Sequence, residues 1–162
     1  MNLQIAIDPL EGPQVAALLQ AHLDEMRRIS PPESVHALDL SRLRAADITF
    51  WSAYQGDTLL GCAALRALDA AHGEVKSMRT TPQARRRGVA AALLEQVMAE
   101  ARRRGYRRLS LETGSQPEFA PARALYARFG FVECGPFGDY RLDPCSTFMT
   151  RALAGAQDEA SR

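Results

Sequence analysis

Apolar residues recur with two different periods along the chain, and each period predicts one type of element. In Leu3–Ile7 every second residue is a large apolar one, which predicts a short strand that ends at Asp8-Pro9. In Val15–Met26 the apolar residues instead fall on one helical stripe, which follows Gly12-Pro13 and precedes a pair of prolines. This spacing and these boundaries predict a first helix.

The rest of the chain continues with strand and helix patterns. Ile48–Tyr54 and Thr58–Leu65 are rich in β-forming residues and are joined by Gln55-Gly56-Asp57, which predicts a hairpin. The other predicted elements are a short helical segment Asp39–Arg44, the strand Gly73–Thr80, the helix Ala90–Arg103, the strand Arg108–Thr113, the helix Pro121–Phe129 and the strands Phe131–Cys134 and Thr147–Leu153. We expect Gly73–Thr80 to pair with Thr58–Leu65 and to run parallel to Arg108–Thr113, because a helix connects it to that strand.

These elements predict an α/β protein in which helices flank one central mixed sheet. The chain has 162 residues, of which 46% are hydrophobic and 24% are charged, as expected of one globular domain with a buried core. We assign that single domain to residues 1–153. Residues 154–162 are small or polar and have no periodic pattern, so we expect a disordered tail without function.

Charge and cysteine content argue against several classes of function. The formal net charge is +1, so the chain lacks the basic field that nucleic-acid binding needs, and we expect no nucleic-acid partner. The sequence contains no run of about eighteen apolar residues and no signal-like N-terminus, so we expect no membrane association. Cys62, Cys134 and Cys145 are too scattered for a disulfide framework and indicate a reducing, cytoplasmic environment.

One turn carries the strongest chemical signal. Arg85-Arg86-Arg87-Gly88 lies between the breaker Thr81-Pro82 and a helix that starts near Ala90. The glycine lets the backbone approach a ligand, the first amides of a helix are unpaired and the arginines add positive charge, so the turn suits a ligand with several phosphates. A solvated helix cap is the alternative. The absence of GxxxxGK[ST] and of an N-terminal GxGxxG argues against nucleotide hydrolysis and Rossmann-type cofactors.

Two motifs, in this order, resemble those of the GNAT superfamily of N-acetyltransferases. Arg85-x-x-Gly88-x-Ala90 is similar to the family's [Q/R]-x-x-G-x-[G/A] signature, a turn that holds the pyrophosphate of acetyl-coenzyme A (acetyl-CoA). The pattern Ala122-x-x-Leu125-Tyr126-x-x-x-Gly130-Phe131 is similar to the family's A-x-x-[L/F]-Y-x-x-x-G-F. The resemblance is to small stand-alone bacterial members. It implies the acyl-CoA N-acyltransferase fold, whose central mixed sheet is splayed between two parallel strands.

The resemblance also implies which residues bind acetyl-CoA. The two parallel strands should separate after Met78 and after Thr113, which leaves main-chain groups free for the strand-like pantetheine arm. The expected cofactor-binding residues are Met78, Arg79 and Thr80 through main-chain groups, together with Arg85, Arg86, Arg87, Gly88, Val89, Ala90, Ser115 and Tyr126. Many members carry an asparagine at the position of Phe119, so that amide contact is either missing here or replaced by Ser115 or Gln116.

Acetyl transfer to an amine needs a base for the amine and an acid for the departing thiolate. By resemblance, Tyr126 is the general acid, and a packed aromatic residue on a helix face is the alternative. Glu74 is the preferred general base, because family members often place a carboxylate on the strand before the phosphate turn. Glu112, at the end of the next strand, and water are the other candidates.

The expected acceptor is the primary amine of a small molecule, which attacks acetyl-CoA directly in a ternary complex. Candidate acceptor-binding residues are Glu33, His36, Glu112, Asp139 and Tyr140, although plain surface connections would also explain most of them. A protein N-terminus or lysine is an alternative acceptor, and a non-catalytic CoA-binding module is an alternative function. Cys62 or Cys134 could serve as a covalent relay. We expect no metal, and a homodimer only by analogy with the family.

Overall fold

Seven strands form one mixed sheet in the computed structural model, which describes residues 2–153. The strands are β1 Gln4–Ile7, β2 Ile48–Gln55, β3 Thr58–Ala67, β4 His72–Thr80, β5 Arg108–Gly114, β6 Val132–Cys134 and β7 Ser146–Ala152. Their order across the sheet is β1-β2-β3-β4-β5-β7-β6. Neighbouring strands are antiparallel except for the parallel pair β4 and β5. The predicted α/β class, hairpin and parallel pair are therefore confirmed.

Helices cover both faces of this sheet. The described residues form four α-helices, α1 Pro13–Ile29, α2 Leu40–Leu43, α3 Val89–Arg103 and α4 Ala120–Arg128. On one face, Leu93 of α3 and Leu125 of α4 join Val75 and Leu111 of the sheet in one buried cluster. On the other face, α1 packs its apolar stripe on β2 and β3. Burial of apolar surface on both sides holds the layers together.

The parallel pairing of β4 and β5 is short. It begins at His72 and ends where Val75 lies opposite Leu111. Beyond this point β4 continues along β3 and β5 continues along β7, so the two strands diverge. The predicted separation after Met78 and Thr113 is therefore wrong in position. The strands part earlier, two residues before a distortion in β4.

This distortion is a β-bulge. Ser77 and Met78 together lie opposite the single residue Ala63 of β3, so β4 contains one extra residue. Ser77 has a φ of 53°, a left-handed conformation that is uncommon for a residue with a side chain. The Cys62 thiol donates a hydrogen bond of 3.2 Å to the Ser77 carbonyl oxygen and supports it. The sequence did not predict the bulge, because no glycine marks it.

Two further expectations concern membrane association and the C-terminal tail. No helix within residues 2–153 has the length and apolar character needed to cross a bilayer. The tail predicted for residues 154–162 lies outside the described residues.

Candidate active site

A cleft of about 730 Å³ opens where β4 and β5 separate. Because the gap lies within the sheet, side chains from both faces reach the same space, with Tyr126 of α4 on one side and Met26 of α1 on the other. In the part of the chain that the structure describes, β5 does not pair with β4 after Val75. Main-chain groups of β4 that face the gap therefore lack a sheet partner, and a strand-like ligand would provide one.

The arginine turn forms one end of the cleft. Arg86 and Gly88 have left-handed φ values of 63° and 79°, which turn the chain sharply into α3. A Cβ added at Gly88 would meet no atom within 4 Å, so the space in front of the turn is open. The first hydrogen bond of α3 runs from Ala92 N to Gly88 O at 3.1 Å, and the amides of residues 89–91 have no acceptor within the helix. This geometry suits an anion.

Lys76 and Glu112 flank the point where the strands part. Each directly follows one member of the last parallel pair, Val75 and Leu111, whose side chains lie in the buried cluster below α3. Because side chains alternate along a strand, Lys76 and Glu112 point to the opposite face, towards α1. Both side chains line the cleft.

Burial adjusts the protonation of two groups in the cleft. Burial is the largest influence on Glu112 and raises its pKa; the Ser146 hydroxyl and Lys76 lower it, and the carboxylates of Glu74 and Asp143 raise it. The net result is a pKa of about 7 in place of the usual 4.5. Burial and then the Glu112 carboxylate raise the pKa of Tyr126, whose side chain is 6% exposed. Near neutral pH, Glu112 can therefore take up or release a proton, while Tyr126 keeps its own.

Glu74 is enclosed by its neighbours and does not line the cleft. It is 1% exposed, Lys76 Nζ donates to its Oε2 at 3.3 Å, and the Tyr140 hydroxyl donates to the same oxygen. The carboxylate is thus neither solvated nor open to a ligand. The geometry does not support the predicted role of Glu74 as the general base, because the carboxylate is buried away from the cleft and its Oε2 already accepts two hydrogen bonds.

Most of the predicted cofactor-binding residues meet in the cleft. Those that line it are Met78, Arg79, Thr80, Arg85, Arg86, Gly88, Val89, Ala90 and Tyr126. Arg87 and Ser115 do not line it. Arg87 Nη2 instead donates to Gln55 Oε1 at 3.0 Å, and the Ser115 hydroxyl forms a 2.8 Å hydrogen bond with the Thr147 hydroxyl.

Phe119 lines the cleft at the position where many family members carry an asparagine. Gln116, one of the two suggested replacements, donates through Nε2 to Ser30 Oγ at 3.1 Å and does not line the cleft. Neither Gln116 nor Ser115 is therefore placed to supply the missing amide contact.

The predicted acceptor-binding residues divide into two groups. His36 and Glu112 line the cleft, whereas Glu33, Asp139 and Tyr140 do not. Tyr140 lies behind His36, which lines the cleft. The two rings pack edge to face, with 5.0 Å between their centroids. Tyr140 therefore supports a lining residue and does not itself reach the cleft.

The sequence analysis missed several residues that line the cleft. Glu25 of α1 forms an ion pair with Arg79, and burial together with Arg79 lowers the pKa of His22 to about 4, so this imidazole is neutral. The helical stripe gave no sign that His22 and Glu25 lie against β4, which depends on how α1 crosses the sheet. For Lys76 a signal existed, because it lies two residues after Glu74 and so shares its strand face.

Three side-chain contacts connect α1 and the segment after it to β4, to the segment after β5 and to the segment before β7. They are the Arg79–Glu25 ion pair, the 3.1 Å hydrogen bond from Gln116 to Ser30, and the 2.5 Å hydrogen bond from Ser34 Oγ to Asp143 Oδ2. Each contact fixes a lining residue of α1 or of the segment after it, namely Glu25, Ser30 or Ser34.

The positions of Cys62 and Cys134 do not favour a covalent relay through either thiol. Cys62 is fully buried, burial raises its pKa to about 12, and it does not line the cleft. Cys134 does not line the cleft either, and burial raises its pKa. At neutral pH neither thiol is an available nucleophile.

Comparison with known proteins gives a consistent result. Residues 15–131, more than half of the chain, match the model of the acetyltransferase (GNAT) family. The chain is 56% identical over 151 residues to YsnE of Bacillus subtilis (strain 168), named as an uncharacterized N-acetyltransferase, with 93% of this chain and 100% of YsnE covered. It is 49% identical over 149 residues to YedL of Escherichia coli (strain K12), which carries the same description, with 92% of this chain and 94% of YedL covered.

The fold agrees with this relationship. A crystal structure of a GNAT family acetyltransferase from Elizabethkingia anophelis with acetyl-CoA bound superimposes with a TM-score of 0.70 at 18% sequence identity. The superposition covers 94% of this chain and 99% of that one. The chain therefore belongs to the acetyltransferase (GNAT) family and is an acetyl-CoA-dependent acyltransferase.

Proposed function

We propose that residues 1–153 act as one domain that transfers an acetyl group from acetyl-CoA to the primary amine of a small molecule, by direct attack in a ternary complex. The observation that carries this proposal is the cleft itself. It runs from an anion-binding turn at the start of α3 to a pocket in which Glu112 and Tyr126 meet from opposite faces of the sheet.

The donor end of the cleft fits acetyl-CoA. The open space before Gly88 and the unpaired amides of residues 89–91 suit the pyrophosphate, and Arg85 and Arg86 add positive charge. Main-chain groups of Met78–Thr80 would hold the pantetheine arm, because β4 has no partner on that side after Val75. When bound, acetyl-CoA supplies a thioester carbonyl carbon as the electrophile.

Glu112 is the better candidate for the general base. It lines the cleft, and its pKa of about 7 matches the operating pH that favours proton transfer. Its carboxylate would take the proton of the attacking amine. The Tyr126 hydroxyl, which stays protonated because burial raises its pKa, would give a proton to the departing sulfur.

The shape of the acceptor side favours a small molecule over a protein. On that side the Ser30–Gln116 and Ser34–Asp143 hydrogen bonds connect two lining residues to segments outside the lining, where a bound peptide would need a continuous groove. The lining there is polar, with His36, Lys76 and Glu112 facing the cleft. A compact, polar amine fits this description.

Calorimetric titration with acetyl-CoA tests the donor site first. Gly88→Asp places a carboxylate in the open space before the turn and should abolish binding. Arg87→Glu is the matched control, because it also adds a negative charge to the turn but lies outside the cleft lining; it should bind with a smaller loss. Equal affinity of wild type and Gly88→Asp would contradict the proposed donor site.

The acceptor is then sought by mass spectrometry with acetyl-CoA, a panel of small polar amines, and peptides with free N-termini or lysines. Acetylation of small amines in preference to peptides is expected. Preference for peptides would replace the small-molecule proposal, and acetyl-CoA binding without transfer to any member of the panel would favour the non-catalytic alternative.

A further inference from the structure

Lys76 is fixed by three acceptors. Its Nζ donates to the Tyr140 hydroxyl at 2.9 Å, to Glu74 Oε2 at 3.3 Å and to the His36 carbonyl at 3.4 Å. These groups belong to the segment between β6 and β7, to β4 and to the segment between α1 and α2, so the ammonium group is held from three directions. Lys76 is only 9% exposed, yet it lines the cleft.

Stability alone does not account for this arrangement. Removing two charges from water costs about as much as their attraction returns, so a buried ion pair such as Lys76–Glu74 adds little to the free energy of folding. The pair lies at the point where β4 and β5 part, on the strand face that Lys76 shares with Glu112. A function connected with Glu112 explains both the position of the Lys76–Glu74 pair and the rigidity of Lys76.

We propose that Lys76 is a positioning residue whose ammonium group, fixed by Glu74 and Tyr140, stabilises the deprotonated form of the Glu112 carboxylate, the form that accepts the proton of the acceptor amine. This inference rests on the proposed function, in which Glu112 is the base. Lys76 acts through Glu112 and takes no proton itself.

The charged and polar groups around Glu112 differ in the direction of their effect. Burial is the largest influence and raises the pKa of Glu112. Glu74 of β4 and Asp143, before β7, also raise it, whereas Ser146 of β7 and Lys76 lower it. Of these side chains, Lys76 alone carries a positive charge.

The tyrosines and histidines in and behind the cleft lining carry no charge near pH 7. The hydroxyls of Tyr126 and Tyr140 stay protonated because burial raises the pKa of both. Burial lowers the pKa values of His22 and His36, which are therefore neutral at pH 7. Glu25 of α1 is paired with Arg79.

A carbon-13 NMR titration of the glutamate side-chain carboxyls tests the proposal, with the Glu112 signal assigned by its loss in Glu112→Gln. The wild-type signal should titrate with a midpoint near pH 7. Lys76→Met should raise this midpoint by about one pH unit, because a nearby positive charge is lost. Lys76→Arg keeps the charge and should restore the wild-type value. Tyr140→Phe keeps both members of the ion pair but removes one of the groups that fix Lys76, so it should raise the midpoint by less than Lys76→Met does.

Lys76→Met leaves buried Glu74 with only the more distant Arg66, whose Nη1 is 4.0 Å from Glu74 Oε1. The double variant Glu74→Gln/Lys76→Met, which removes both members of the Lys76–Glu74 pair, therefore guards against misfolding. It should also raise the midpoint, because Lys76 affects the pKa of Glu112 more than Glu74 does. A Glu112 midpoint that is the same in wild type, Lys76→Met and the double variant would overturn the proposal. The titration needs neither acetyl-CoA nor an acceptor, so this result is distinct from a failure of the proposed function, which acetyl-CoA binding and transfer report.

Discussion

The ring of Phe119 lies over Gly114 so closely that a Cβ added at Gly114 would be 2.0 Å from Phe119 Cδ2 and 2.6 Å from Phe119 Cγ. Gly114 is the last residue of β5, and Phe119 immediately precedes α4. This contact therefore sets how closely the strand that carries Glu112 approaches the helix that carries Tyr126.

Gly114→Ala should destabilise the fold by about 1–3 kcal/mol, because the whole ring of Phe119 has to move. Urea unfolding measures the change. Gly135→Ala is the control, since a Cβ there meets no atom within 4 Å; it should change the free energy of unfolding by less than about 0.5 kcal/mol. In a Phe119→Ala background the cost of Gly114→Ala should shrink, and an undiminished cost would show that another contact is responsible.

Tyr126→Phe should lower kcat by about a hundredfold or more, because it removes the proposed proton donor for the departing thiolate. The aromatic ring remains, so the Kd for acetyl-CoA should change little. Tyr106→Phe is the matched control: Tyr106 is a tyrosine in the same buried cluster that does not line the cleft. Steady-state kinetics with an amine identified in the screen measure kcat for both variants. Unchanged turnover in Tyr126→Phe would remove this residue from the mechanism.

Glu112 should control the acidic limb of the pH–rate profile. A base works in its deprotonated form, so kcat/KM should fall about tenfold per pH unit below a pH of about 7. Glu112→Gln should reduce kcat/KM by about a hundredfold or more and abolish that limb. Glu118→Gln, which changes another glutamate of the cleft lining, should keep the wild-type profile. If the acidic limb persists in Glu112→Gln, a different group is the base.

The raised pKa of Glu112 should also make the stability of the fold depend on pH. Its pKa is about 7 in the folded protein and 4.5 ordinarily, so the folded state binds more protons between these values. The contribution of Glu112 to the free energy of unfolding should therefore fall as the pH rises from 4.5 to 7 and remain low above it. The difference between the two values corresponds to roughly 3 kcal/mol.

Glu112→Gln carries no ionisable group at this position, so it should be more stable than wild type above pH 7. Urea unfolding of wild type and Glu112→Gln, at pH values from 4.5 to above 7, measures the effect. Parallel pH dependences in the two proteins would mean that Glu112 titrates at its ordinary value.

Local sequence predicted the features that depend on residues close together in the chain. The periods of the apolar residues located the strands and helices, because each period reflects the repeat of one element. The turn at Arg85–Gly88 could be found for the same reason: its glycine, its positive charge and the start of α3 are adjacent. Tyr126 could be assigned to the site because a second local motif contains it.

The tertiary structure decided what depends on residues far apart in sequence. The separation of β4 and β5 after Val75 and the bulge at Ser77 follow from competing pairings with other strands, which no local pattern records. Glu74 lost its predicted access to the cleft through a hydrogen bond from Tyr140, which lies 66 residues away. The pKa of Glu112 likewise depends on how deeply packing buries it beside Lys76. Sequence therefore determined the elements and the reaction class, and packing decided which of the two carboxylates lines the cleft, because burial and charge proximity exist only once distant segments meet.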